Sequence, residues 1–154
     1  MTEANHREES DEAYVIDLCD QLLGLKARRQ HCFDFLLGDP NSAGRRTKLP
    51  VDAYYEELGM VIEYWERQHL YPTPIMDKKM TLSGCTRGEQ RKIYDRRRWD
   101  VFEGCGIRLV VLTFEQLDHT ADGKLRRNKA VDEQIIRAAL PEVQSVRGNE
   151  PTTD

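Results

Sequence analysis

The residues best suited to chemistry fall between Pro50 and His69, in the stretch PVDAYYEELGMVIEYWERQH. Asp52 and Glu63 sit in two short apolar segments, Leu49 to Tyr55 and Met60 to Trp65. Both read as strands, with Glu56 to Gly59 as the hairpin turn between them. Adjacent antiparallel strands can set both carboxylates on one face within a few ångströms. Such a pair repels itself and calls for a divalent cation, a shared proton or a strong hydrogen-bond network. Magnesium or manganese suits it, since hard ions of this kind take oxygen ligands and retain several waters. An ion so held would polarise a phosphodiester and acidify an attacking water. Acids on a solvated strand face do none of this, and that is the ordinary fate of such pairs. Gln68 and His69, directly after a strand of large apolar residues, weigh against the ordinary reading.

The elements that must position these residues follow from patterning. Ser10, with Asp11 and Glu12 after it, marks a helix start, and Val15, Leu18, Leu22 and Leu23 recur at helical spacing up to Gly24. His31 to Leu37 is rich in strand formers, and Asp39 to Gly44 is a turn. Tyr71 to Gly84 reads as irregular, broken by Pro72 and Pro74. A helix is expected over Arg87 to Gly104, with Tyr94, Val101, Phe102 and Cys105 facing the core. Ile107 to Leu112 suits a buried strand. A last helix is expected from about Asp122 to Leu140, with Val131, Ile135, Ile136 and Leu140 inward. The order α-β-β-β-α-β-α implies an α/β sandwich with a central mixed sheet. We expect one domain over 10–146, with flexible tails at 1–9 and 147–154.

Length and composition narrow the possibilities. At 154 residues, 39% hydrophobic and 32% charged, the chain can bury one real core, which argues against global disorder. No apolar run approaches the roughly 20 residues that cross a bilayer, and the polar start lacks a signal-peptide core, so no membrane association and a cytoplasmic location are expected. Cys19, Cys32, Cys85 and Cys105 are too dispersed for a tight disulfide framework or a zinc finger and read as free thiols. The net charge of −4 hides an uneven distribution. Acids crowd Glu3 to Asp20, while Lys78, Lys79, Arg87, Arg91, Lys92, Arg96, Arg97 and Arg98 crowd the region before and within the long helix. A local cationic surface holds phosphates whatever the overall sign, because charges are screened beyond about 10 Å at 0.1 M salt.

VDAYY followed by ELGMVIEYWERQH resembles the core of the PD-(D/E)xK nuclease superfamily, in particular its single-domain branch similar to very-short-patch-repair endonucleases. That branch reads "v-D-f-y, then l-v-I-E-y-D-G-x-Q-H". Upstream, Gly24 to Gln30 (GLKARRQ) resembles its "G-x-k-f-r-R-Q". Downstream, Tyr94 to Arg98, Phe102, Gly106 and Ile107 to Leu112 resemble "D-x-x-R-x-x-x-L-x-x-x-G-x-x-v-l-r". The likeness runs from about Glu12 to Leu112. It implies a restriction-endonuclease-like sandwich and metal-dependent hydrolysis of DNA. Asp52 and Glu63 would hold the Mg (or Mn) ion, Gln68 and His69 would orient water or phosphate, and Glu12 would assist, with Asp17 competing for that role.

Two positions depart from the pattern. Trp65 stands where related nucleases carry lysine or aspartate, and Glu66 replaces glycine. A cation from the following helix, Arg98, is the expected substitute, or Glu66 to Gln68 supplies an alternative triplet. Arginine stabilises phosphate charge but is a poor general base. Arg45, Arg46, Lys78, Lys79, Arg91, Arg97 and Arg98 are the expected DNA contacts, while Asp95 and Arg98, three residues apart on one helix, can simply pair. A homodimer is compatible with cutting two strands. The competing expectation is a catalytically impaired nuclease-like fold that binds nucleic acid or serves assembly.

Overall fold

A computed structural model describes residues 10–71, 81 and 84–141 of the chain. The expected tails and the basic candidates Lys78 and Lys79 lie outside the described residues. Ser10 caps helix α1 (Asp11–Leu23) by accepting the Ala13 N–H at 3.0 Å, and Gly24 ends it in the left-handed region, where a side chain is costly. Next come strands β1 (Arg28–Pro40), β2 (Arg46–Tyr55) and β3 (Met60–Trp65), the last two joined by a 3₁₀ turn over Glu56–Leu58. A short helix α2 (Arg67–Leu70) precedes the long helix α3 (Arg87–Cys105), then strand β4 (Arg108–Thr113) and helix α4 (Lys129–Ala139).

The four strands form one sheet in the order β1-β2-β3-β4, with β4 parallel to β3 and the other neighbours antiparallel. The molecule is therefore an α/β structure with a mixed sheet, as the element order predicts. β3 is central and apolar, and every residue from Met60 to Tyr64 is buried. On one face, Val15, Ile16, Leu18 and Cys19 of α1 and Ile136 of α4 pack with Ala53, Tyr55 and Ile62. On the other, Phe102 of α3 packs with Phe33, Leu36, Val51 and Val61.

Three expectations need correction. α4 begins at Lys129 and not near Asp122, because 118–127 forms a loop tied down by the Asp11 carboxylate, which accepts the Leu125 N–H at 3.0 Å and Arg127 Nε at 3.2 Å. Val131 is exposed, and its neighbour Asp132 is the buried residue, held by the Tyr14 hydroxyl at 2.5 Å. On α3 only Phe102 is fully buried, and Cys105 faces solvent. Of the other inward candidates, Tyr94 is half-buried and accepts the Asp39 N–H of β1 at 2.8 Å, while Asp95 and Arg98 are half-buried against His69 and Glu63.

Candidate active site

The β2–β3 ladder has Ala53 opposite Ile62, which places Asp52 opposite Glu63 on the next rung. There the ladder gives way: the Tyr64 N–H donates to Asp52 Oδ2 at 2.8 Å instead of to a β2 carbonyl. The Asp52 carboxyl thereby lies between the strands, in hydrogen-bond contact with Glu63 of β3 on one side and with Glu12 of α1 on the other. The Asp52 carboxyl thus reaches Glu63, and the first-helix acid that joins it is Glu12. Asp17, its competitor, pairs with Arg29 at 2.5 Å.

Burial pushes the Asp52 carboxyl up to about 6, with the neighbouring Glu63 charge acting in the same direction. Burial also raises Glu63, opposed by its contact with Asp52 and by the Arg98 guanidinium. Arg98 Nε lies 3.4 Å from Glu63 Oε1, yet neither atom has a hydrogen-bond partner. The two are opposite charges in contact without the geometry that would satisfy them. Buried polar atoms are nearly always hydrogen-bonded, so these are exceptions that ask for a reason. An acid cluster that must share protons, with a buried carboxylate oxygen left over, is an arrangement that a hard cation would relieve. In that respect Asp52 and Glu63 fit a divalent ion. Among the described residues no set of three or more His, Cys, Asp or Glu side chains converges as a complete cage. Magnesium needs only one or two protein carboxylates beside its waters.

A cleft of about 300 Å³ opens over this cluster, lined by Glu12, Asp52, Tyr64, Glu66, Gln68, His69 and Arg91. Gln68 and His69 reach it from α2, a turn of helix that the sequence pattern did not reveal. His69 is braced twice: its ring stacks on Trp65 with centroids 4.3 Å apart, and its Nε2 lies 2.8 Å from Asp95 Oδ2. Asp95 Oδ1 in turn meets Arg98 Nη1 at 3.4 Å, so the within-helix pair exists and extends in both directions. Trp65 acts as the floor under His69. Asp95, Tyr64 and Gln30 were not singled out for chemistry from the sequence. Gln30 Nε2 donates to Glu12 Oε1 at 3.0 Å.

Of the candidates, Glu12, Asp52, Gln68, His69 and Arg91 line one cleft, Glu63 and Arg98 adjoin it through Asp52, and other candidates lie apart from it. Arg97 donates to the Leu37 carbonyl at 2.8 Å and pairs with Asp39 at 3.1 Å, clamping the β1–β2 hairpin to α3. Arg46 Nε donates to the Gly38 carbonyl at 2.8 Å within that hairpin, and Arg45 is exposed at its tip. Cys19 is buried, Cys32 and Cys105 are exposed, and all four cysteines are free. No described helix is long and apolar enough to cross a membrane. No protein-family model, curated protein or solved structure matches this chain.

Proposed function

We propose that the chain is a metal-dependent endonuclease of the PD-(D/E)xK kind, with DNA as substrate. The observation that carries the reading is the cross-strand pair Asp52 and Glu63, both pushed upward by burial, beside a cleft lined by Asp52, His69 and Arg91. In this reading Asp52 and Glu63 would hold a magnesium or manganese ion, which supplies an acidified water and polarises the scissile phosphate. Glu12 extends the acidic wall of the cleft beside Asp52. Arg98 neutralises Glu63 and, from the side of α3, takes the electrostatic place of the missing motif lysine. Its guanidinium stays charged, so it stabilises and does not accept protons. His69 lines the cleft with its Nε2 braced by Asp95, an arrangement suited to passing a proton to or from the reacting water or leaving group. Arg91 and Gln68 receive the phosphate oxygens.

A plasmid-cleavage assay with Mg²⁺ or Mn²⁺ tests this on wild type, Asp52→Ala and Glu63→Ala. Metal-dependent nicking by wild type and its loss in both variants is expected. Equal nicking by all three would remove the pair from the mechanism. A second reading, DNA binding without cleavage, is favoured by one observation: Trp65 is built into the support of His69, so no cation follows Glu63 on its own strand. Salt-sensitive DNA binding by a chain that cuts with neither ion would select it.

A further inference from the structure

Gln30 lies within β1, yet its φ is 50°, the left-handed region that L residues other than Asn and Asp rarely enter and that strands do not use. Its neighbours are regular. Arg29 pairs with Ala53 and His31 with Val51, which puts Gln30 directly across from Asp52 and leaves that one rung unpaired. The row across the sheet therefore reads Gln30, Asp52, Glu63, from β1 through β2 to β3. The inverted backbone aims the Gln30 side chain at α1, where Nε2 meets Glu12 Oε1 at 3.0 Å. A small cavity of about 40 Å³, lined by Ser10, Glu12, Gln30 and Asp52 among others, adjoins this contact. A glycine would occupy this backbone without strain, whereas glutamine must be held there by its surroundings.

We infer that Gln30 is a positioning residue of the carboxyl cluster, and that the strained backbone is retained because it delivers a neutral donor to Glu12. The donor answers the second carboxyl that Asp52 brings against Glu12 and fixes where the Glu12 oxygen sits. Only an uncharged amide fits: a cation would lock Glu12 into an ion pair and compete for Asp52, and a further carboxylate would add repulsion. This inference rests on the nuclease reading for its consequence, but the contact itself does not.

The decisive variant is Gln30→Gly, which keeps the backbone and deletes the amide. Its melting temperature should equal or exceed that of wild type, while kcat for Mg²⁺-dependent cleavage falls about tenfold or more at similar KM. A residue with only a structural role would lose melting temperature and activity together, and that result would overturn the inference, as would wild-type kcat in Gln30→Gly. If the wild-type chain cuts with neither ion, the nuclease reading fails, and the contact is then decided by NMR of the Gln30 side-chain amide. Its two protons should resonate apart in wild type and move toward free-amide positions in Glu12→Ala. Identical resonances in the two proteins would overturn it.

Discussion

Toward its C-terminal end, helix α1 presents Asp17 and Asp20 to a matched set of donors. Asp20 accepts the Tyr55 hydroxyl at 2.6 Å and the Ala27 N–H at 3.0 Å, and Arg29 joins it at 3.0 Å. At the other end of the same helix, Glu12 meets Asp52, which also contacts Glu63, and Gln30 donates to Glu12 while Arg98 stands imperfectly placed against Glu63. Both regions are acidic and both pack against the sheet. The first resembles an ordinary structural site, in which both Asp20 oxygens have donors and Asp17 is paired with Arg29. The second stores repulsion in a cleft, and strain of this kind accumulates where a ligand or reaction makes use of it. The contrast separates acids that hold the fold from acids that the fold has to hold.

The sharpest way to break the comparison is to neutralise each region in turn. Asp52→Asn should cut Mg²⁺-dependent cleavage by at least about a hundredfold while leaving the urea midpoint unchanged or higher, since one buried charge is gone. A large loss of stability would instead place Asp52 with the structural acids. Next in size is a pH effect. Asp52 keeps its proton to about 6 in the folded chain, against a usual value near 4 when unfolded. Between those values the folded chain binds more protons than the unfolded one. Stability without metal should therefore be greatest below about pH 4 and fall as pH rises to about 6, by on the order of 2–3 kcal/mol. Urea titrations from pH 4 to 7 in EDTA check this, and Asp52→Asn should flatten the slope.

Asp20→Ala should show the opposite profile, losing about 2 kcal/mol because the buried Tyr55 hydroxyl and the Ala27 N–H lose their acceptor. Cleavage per folded molecule should hold, as measured below the melting transition; a collapse of activity would join the two regions into one site. The smallest effect is expected on the outer face of α3. Arg96, exposed and paired only with Asp100 at 3.2 Å, should when changed to Glu weaken DNA binding a few-fold and lower the salt slope by about one. An unchanged slope would confine phosphate contacts to the cleft.

Much of the fold was legible because its signals are local. The Ser10 cap, the Gly24 stop and the apolar block of β3 each follow from a few adjacent residues. Helix α3 was legible as a helix but not by its buried face. Asp95 and Arg98 carry the polarity of a solvated surface, yet they face inward, where Arg98 meets Glu63 of β3 and Asp95 meets His69 of α2. The start of α4 was misplaced for a similar reason. A tether from Asp11, more than a hundred residues earlier, holds 118–127 as a loop.

The sequence by itself determined that Asp52 and Glu63 stand on neighbouring strands, since alternation and a short turn leave few other arrangements. It determined as well that no lysine follows Glu63 on β3. Which partners complete the cluster was decided only in three dimensions. Glu12 over Asp17, Asp95 as the brace of His69, and Gln30 through an inverted strand residue are choices made by packing. The physical reason is distance: contacts between layers depend on how helices sit across a twisted sheet, and no local pattern of residue types encodes that geometry.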